Sequence, residues 1–389
     1  MTPQHQAGAL FILGFDATRL DTELEMLVER WRPAGFILFR RNIESPRQLA
    51  DLCHDLRRLY PESDPPLLCV DQEGGRVARL RRPFTELPSA RLLGRHHART
   101  GSLELIVRAA AITAAELTAV GINFNFAPVM DVDSNPANPV IGDRAFSHMP
   151  ESVAEIGCCQ IQAFQQQGLL ACAKHFPGHG DTSSDSHVDL PLVVKDRTAL
   201  DALELLPFRA AVRAGVAAIM TAHVLYPALD QIYPATLSQP ILTGLLRDEM
   251  GFDGLIVTDN MEMQGVWGRW PADELVSRGL AAGCDLFIGG GGGLYGQQPQ
   301  THIQFSLMQA LTEQIEQGRV SADRIQASLR RISAVKRRWL APIESQTKAE
   351  ALRRIGSAEH QQVADALADA STTSETINAI QTANSDRRG

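Results

Sequence analysis

The sequence of 389 residues lacks a long apolar run, an excess of positive charge and a high aromatic content. Aromatic residues make up 6% of the chain, and the formal net charge is -8. An acidic balance argues against nucleic acid or an anionic membrane as the main partner. Because no apolar stretch reaches the length of a membrane span, we expect no membrane partner either. A small neutral ligand fits this composition better.

Cysteine is scarce, and its spacing shows no CxxC pair of the kind that binds zinc. Several cysteines lie within apolar runs, where a free thiol behaves as a small hydrophobe. The six positions are Cys53, Cys69, Cys158, Cys159, Cys172 and Cys284. The first residues contain no basic region before a short apolar run that ends at Asp16, which favours a first strand over a signal peptide. We therefore predict a cytoplasmic protein without disulfide bonds.

The sequence does contain a regular alternation of short apolar runs and longer amphipathic segments. The apolar runs span residues 9–16, 34–39, 67–72, 122–132, 169–175, 216–223, 254–259 and 284–290. Apolar strands that are each followed by a helix are typical of a parallel sheet covered by helices. Eight such units predict a (β/α)8 barrel, and a doubly wound open sheet is the alternative.

Polar residues at the ends of most apolar runs favour the barrel. They are Asp71, Asp131, Lys174, His175, His223 and Asp259. In a barrel the carboxyl ends of all strands meet at one face, whereas an open sheet gathers its chemistry at one switch point. We predict an α/β protein with a single catalytic barrel over residues 1–342 and a polar, partly helical tail over residues 343–389.

The run AKHFPGHGDTSSDSHVDLP, residues 173–191, is the most polar part of the chain. His175, His179 and Asp181 suggest metal ligands, but Pro177 and Gly178 break the helix that an i, i+4 pair of histidines requires. A loop of hydrogen-bonded histidines is the alternative.

Within the same run, Asp185 precedes His187 by two residues. A carboxylate at this spacing can orient an imidazole and raise its pKa towards neutrality. The Asp185–His187 pair therefore suggests a general acid/base that works near pH 7.

Three other segments carry candidate functional residues. Asp259 ends an apolar run and suits nucleophilic attack or charge stabilisation, with a helix N-cap as the alternative. The segment 70–80 places Gly74 and Gly75 after Asp71. The long loop over residues 124–146 ends near Arg144, and we favour turn and hydrogen-bonding roles for its aspartates over calcium binding. The glycine run over residues 289–293 lacks a Walker lysine, so we favour a flexible loop over a phosphate site.

Five motifs taken together resemble glycoside hydrolase family 3, and their order and spacing agree over about residues 8–342. The motifs are DQEGGRV, NFAPVMDV, IGDR, KHFPGHGDTSSDSH and GFDGLIVTD. The Asp185-Ser186-His187 element resembles the β-N-acetylglucosaminidase branch, which acts in peptidoglycan turnover and recycling. Asn260 departs from this branch, which usually has aspartate after the nucleophile.

The resemblance implies an exo-acting, retaining glycosidase that needs no metal or organic cofactor, and we expect the protein to be a monomer. Asp259 would be the nucleophile and His187 the acid/base, with Asp185 as its partner. The residues that would hold the hydroxyl groups of the terminal sugar are Asp71, Arg79, Arg144, Lys174 and His175. The tail, from about residue 355, resembles a connector to a second domain, and we expect a single barrel that carries this connector.

Four alternatives stay open at this point. The first is a β-glucosidase or β-xylosidase of the same family. The second is a phosphorylase, because a histidine in place of a second carboxylate would not repel a phosphate acceptor. The third is a metal-dependent hydrolase that uses the loop 175–187, and the fourth is a non-catalytic sugar-binding barrel.

Overall fold

The computed structural model describes residues 1–183, 190–290, 301–340 and 348–369. Within these residues, eight parallel strands form a closed barrel. The strands are β1 (Phe11–Gly14), β2 (Gly35–Leu38), β3 (Leu67–Val70), β4 (Phe124–Asn125), β5 (Leu170–Phe176), β6 (Ala218–Thr221), β7 (Leu255–Asn260) and β8 (Leu286–Gly289). Each of the eight predicted runs overlaps one of these strands. Because β1 pairs with β8, the predicted barrel is confirmed and the open sheet is excluded.

Helices alternate with the strands and cover the outside of the barrel. They are α1 (Pro3–Gly8), α2 (Thr22–Trp31), α3 (Pro46–Arg58), α4 (Ala90–Thr100), α5 (Glu104–Ala119), α6 (Pro150–Gln166), α7 (Arg197–Ala202), α8 (Leu205–Arg213), α9 (Ala272–Ala282), α10 (Thr301–Glu316), α11 (Ala322–Trp339) and α12 (Lys348–Arg353). A π-helix spans Pro240–Glu249, and residues 358–369 are also helical. Helix α1, which precedes the first strand, was not predicted from the sequence.

Local sequence signals explain where the helices begin. Helix α3 begins after Ser45, whose side chain accepts a hydrogen bond from the Gln48 amide while the Gln48 side chain returns to the Ser45 backbone. Pro46 occupies the first turn, where no amide hydrogen is needed. Asp21 caps α2 in a similar way. These caps satisfy backbone donors that have no partner inside the helix.

The core lies inside the barrel and between the strands and the helices. Strands β1, β2, β3, β6 and β8 are buried at every residue, which is why their sequences are continuously apolar. The rings of Phe11 and Phe287 stack with centroids 5.4 Å apart and join β1 to β8. All six cysteines are free. Among the helices of the described residues, none combines the length and apolar character that a membrane crossing requires.

A short antiparallel hairpin follows β3 and brings a second set of polar residues over the barrel. Its strands are Gln72–Gly74 and Val77–Ala78. The turn places Gly74 at φ 102° and Gly75 at φ 55°, a region that L side chains rarely adopt. The hairpin positions Glu73 and Arg79 at the carboxyl end of the strands.

Candidate active site

A cleft of about 730 Å³, counting the space at its mouth, opens at the carboxyl end of the barrel. Its lining includes every residue of the described part of the chain to which the family resemblance assigns a role. These are Asp71, Arg79, Arg144, Lys174, His175 and Asp259. Small-molecule sites in (β/α)8 barrels lie at this face, where the loops after the strands meet.

The strands bring these residues together because their carboxyl ends share one face of the barrel. Asp71 follows β3 directly, while Lys174 and His175 lie near the end of β5. Asp259 is the next-to-last residue of β7. Arg144 comes from a 3-10 helix over Gly142–Arg144, in the long loop between β4 and α6.

An ion-pair network forms one wall of the cleft. Lys174 donates to Asp71 Oδ1 at 2.8 Å and pairs with Glu73 Oε1 at 2.7 Å. Arg144 binds Glu73 with both Nε and Nη2, each at 2.9 Å. Arg79 Nη2 lies 3.3 Å from Asp71 Oδ2. The Lys174 side chain is only 2% exposed, so these carboxylates take the place of water around its ammonium group.

The network keeps its members charged in spite of burial. Burial opposes ionisation of Asp71, but Lys174 and Arg79 outweigh it, and the pKa of the carboxyl lies below its usual value. The pKa of Glu73 is also low, because Arg144 and Lys174 outweigh its burial. For Lys174, burial is outweighed by Asp71 and Glu73, and the pKa lies above its usual value. Paired charges of this kind are costly to break once buried.

Asp131 orients His175 at the base of the cleft. Its Oδ2 lies 2.7 Å from His175 Nδ1, and its Oδ1 accepts from the backbone amides of His175 and His179 at 3.1 and 2.7 Å. Arg144 Nη2 lies 3.3 Å from His175 Nε2. A guanidinium only donates, so His175 Nε2 accepts and Nδ1–H donates to Asp131. Burial opposes the charge of Asp131, but His175 outweighs it and the pKa of Asp131 lies below its usual value.

His179 is buried next to His175 and stays neutral. Burial, aided by His175, lowers the pKa of His179 to about 4. Its Nδ1 lies 2.9 Å from Thr182 Oγ1, and the rings of the two histidines cross edge-on with centroids 5.8 Å apart. Asp181, the third ligand of the metal alternative, lies instead 3.5 Å from Lys195 Nζ. In the ranges that the structure describes, no three His, Cys, Asp or Glu side chains are grouped to hold a metal ion.

Asp259 lies across the barrel from Asp71, because its strand β7 is four strands away from β3 in the closed barrel. It belongs to the strand itself and does not begin a helix. Its Oδ1 accepts from the Asn260 amide at 2.7 Å. The N-cap interpretation is wrong, because the next helix, α9, begins at Ala272 with Pro271 as its N-cap. The backbone of the strand end is fixed by His223, whose Nε2 lies 3.1 Å from the carbonyl oxygen of Asn260.

Asp185 and His187 lie outside the described residues, as do positions 291–293 of the glycine run. The segment before residue 184 is held in place. Asn138 Nδ2 donates to the carbonyl oxygens of His179 and Gly180 at 2.8 and 3.0 Å. Tyr226 donates to the carbonyl oxygen of Gly178.

Two side chains of the cleft were not singled out from the sequence. Glu73 lies in the DQEGGRV motif, but its partner Arg144 is far away in the chain, so only the folded structure shows the pair. Phe39 lines the cleft, and two guanidinium groups lie near its ring, with Arg41 Cζ 4.5 Å and Arg79 Cζ 5.5 Å from the ring centroid. Its position directly after β2 could have predicted that Phe39 belongs to the site, because the residues at the carboxyl ends of barrel strands form the site.

The family model described as "Glycosyl hydrolase family 3 N terminal domain" matches residues 7–335. The chain belongs to glycosyl hydrolase family 3. The family resemblance predicted from the motifs is thereby confirmed. The region that the family model matches and the barrel described above cover the same part of the chain.

Three relatives in the family are similar over most of the chain. "Beta-hexosaminidase A" of Pseudoalteromonas piscicida is 36% identical over 372 residues, which are 92% of this chain and 61% of that protein. A glycoside hydrolase family 3 beta-N-acetylglucosaminidase from Paenibacillus sp. str. FPU-7 superposes with a TM-score of 0.85 at 37% identity, covering 95% of this chain and 69% of that one. NagZ from Neisseria gonorrhoeae, solved in complex with N-trifluoroacetyl-D-glucosamine, superposes with a TM-score of 0.68 at 29% identity, covering 90% of this chain and 98% of that one.

Proposed function

We propose that the protein is an exo-acting, retaining β-N-acetylglucosaminidase. The observation that carries this proposal is the position of Asp259 in a cleft that it shares with a network of charged hydrogen-bonding groups. The names of the similar proteins, beta-hexosaminidase and beta-N-acetylglucosaminidase, support the same substrate class.

The charge of the network suits a neutral, polyhydroxylated ligand. The charged side chains that line the cleft are three carboxylates (Asp71, Glu73, Asp259) and three cations (Arg79, Arg144, Lys174). Charged groups make stronger hydrogen bonds to hydroxyl groups than neutral ones do, and a cleft lining without net charge does not attract an anion in particular. We assign the hydroxyl groups of the terminal sugar to Asp71, Arg79, Arg144, Lys174 and His175.

The reaction follows the two steps of a retaining glycosidase. Asp259 attacks the anomeric carbon, while His187 gives its proton to the leaving oxygen and the glycosidic bond breaks. His187 then takes a proton from water, which attacks the anomeric carbon and releases Asp259. Asp185 would orient His187, as the sequence predicts. Fixed charges around the sugar need no reorganisation as positive charge develops on the ring.

Three finer statements are also part of the proposal. The substrates are fragments of peptidoglycan, and the protein works in the cytoplasm, where six free cysteines stay reduced. Residues 1–342 form the catalytic unit.

The test compares the release of nitrophenol from the β-N-acetylglucosaminide and from the β-glucoside, with and without phosphate. We expect turnover of the acetamido sugar and a loss of at least about a thousand-fold in the Asp259→Asn variant, because no nucleophile remains. Asp253→Asn, an exposed aspartate before the same strand, is the matched control and keeps its activity.

Other outcomes change the proposal in defined ways. Turnover of the glucoside alone would move the substrate to the glucosidase alternative, and a sugar phosphate among the products would indicate a phosphorylase. Binding of N-acetylglucosamine without turnover of either glycoside would favour a sugar-binding barrel. Activity that is lost with a chelator and restored by zinc would favour the metal-dependent hydrolase.

A further inference from the structure

The segment over residues 348–369 packs on the barrel, although it lies outside the region that the family model matches. Val363 and Leu367 are 2% and 0% exposed and join an apolar cluster with side chains of α4, α5 and α6. Leu352 and Ile355 contact the main core. The described part of the tail is therefore built into the fold.

One buried carboxylate connects this segment to the rest of the protein. Glu116, on α5, is 5% exposed. Its Oε1 accepts from the amide of Gly356 at 2.9 Å and lies 2.8 Å from Nδ1 of His360, which is 4% exposed. Gly356 also lies against the loop beyond the hairpin, because a Cβ at this position would be 1.9 Å from the carbonyl oxygen of Pro83.

The other contacts of Glu116 lead towards the cleft. Its Oε2 accepts from the Thr85 amide at 2.9 Å, and its Oε1 accepts from Thr85 Oγ1 at 2.6 Å. Thr85 lies six residues after Arg79, in a chain segment with little regular structure.

The segment between Arg79 and Thr85 is fixed at its other end by Gln72. Its Oε1 accepts from the amides of Arg79 and Leu80 at 2.9 and 3.0 Å. We call residues 79–85 the strap. Hydrogen bonds hold it at both ends, from Gln72 at Arg79 and from Glu116 at Thr85. The cleft lies directly beside this strap, because both Asp71 and Arg79 line it.

We propose that residues 348–369 are a working part of the substrate site, since they hold Glu116 and, through Thr85, keep Arg79 in place against Asp71. His360 and Gly356 are the positioning residues of this connection. Four hydrogen-bond donors surround the buried carboxylate of Glu116. Removing one of them should weaken the remaining contacts and increase the mobility of the segments that make them, because the charge is then less well compensated. The kinetic part of this inference rests on the proposed glycosidase function, whereas the structural part does not.

The first test is amide hydrogen exchange of the full chain, read by mass spectrometry on peptides that cover residues 72–89. In His360→Ala we expect protection over residues 79–85 to fall by about ten-fold, the effect of losing one hydrogen bond to a charged group. His360→Asn should restore most of the protection, because its Nδ2 can occupy the position of the histidine Nδ1. Gln362→Ala, an exposed residue of the same helix, should leave the exchange unchanged.

The second test measures kcat and KM with the acetamido glycoside. In His360→Ala we expect KM to rise about three- to ten-fold with a smaller change in kcat, since a misplaced Arg79 weakens sugar binding. In the Arg79→Ala background the same change should have less than about two-fold effect, because coupled residues are non-additive.

The outcomes separate this inference from the proposed function. If exchange becomes faster only within residues 348–369 and stays unchanged over 79–85, the connection does not exist and the inference is overturned. Additive effects of His360→Ala and Arg79→Ala on KM would also overturn it. If the wild type cleaves no glycoside, the proposed function fails, and the exchange measurement still decides whether the tail holds the strap.

Discussion

At the scale of single residues, the site depends on Glu73, whose role cannot be predicted from the residues next to it in the sequence. It pairs with Arg144 and Lys174, and its side chain is 5% exposed. Removing one partner of a buried ion pair leaves the other charge without compensation. Glu73 therefore determines the positions of two cations that line the cleft.

Glu73→Gln should lower the free energy of unfolding by about 3–5 kcal/mol, because the amide nitrogen would face a cation in place of a carboxylate oxygen. Denaturant unfolding of the purified variant measures this change. Arg47→Ala provides the control, since the Arg47–Asp51 pair is 79% and 52% exposed and its loss should change stability by less than about 0.5 kcal/mol. Equal effects of the two substitutions would contradict the buried network.

His179 predicts how stability depends on pH. Burial lowers its pKa to about 4 in the folded state, from the 6.5 that is usual for histidine. Between pH 6.5 and pH 4 the unfolded chain therefore binds a proton that the folded chain does not bind. The free energy of unfolding is highest above pH 6.5 and decreases as the pH falls towards 4. The loss should reach about 3 kcal/mol at about 1.4 kcal/mol per pKa unit.

Unfolding curves at pH 7, 6, 5 and 4 check this prediction, with His179→Gln as the comparison. The variant should show a smaller decrease over this range, because a glutamine carries no titrating group. The buried carboxylates add a further decrease below their usual pKa values, since the pKa of Asp71 and of Glu73 is lowered in the folded state. Parallel curves for wild type and variant would show that His179 is not responsible.

At the scale of elements, Gly94 shows how closely helix α4 approaches the loop that carries Arg144. A Cβ at Gly94 would lie 1.8 Å from the carbonyl oxygen of Phe146. Gly94→Ala should destabilise the protein by about 1–3 kcal/mol and reduce kcat/KM, because the loop must move. Gly244→Ala, in open space within the π-helix, should leave activity unchanged. Thermal unfolding and steady-state kinetics test both variants together.

The sequence predicted the elements better than their contacts. Eight apolar runs identified all eight strands, because strands buried on both faces leave a continuous apolar signal. The location of Asp259 and of Lys174 followed from their place at strand ends. The partners of Glu73 and of Asp131 could not be predicted, since each partner lies far away in the sequence and such pairing leaves no local pattern. Helix α1, with only six residues, was too short for periodicity to show it.

At the scale of the whole molecule, charge balance in the cleft contrasts with a net charge of -8 on the chain. Binding of a neutral sugar to a balanced site should depend little on ionic strength. We expect KM for the neutral acetamido glycoside to change by less than about two-fold between 0.05 and 0.5 M salt. A steep rise of KM with salt would indicate that an anionic or cationic group of the substrate contributes to binding.

The pairing of β1 with β8 has a consequence for synthesis on the ribosome. Translation adds about 5–20 residues per second, so the strand that completes the barrel emerges many seconds after the first one. Until Leu286–Gly289 is available, Phe11–Gly14 and Leu255–Asn260 each expose an unpaired strand edge. Such edges invite pairing with other chains. A nascent chain of this protein therefore exposes these two strand edges to other chains until the last barrel strand has left the ribosome.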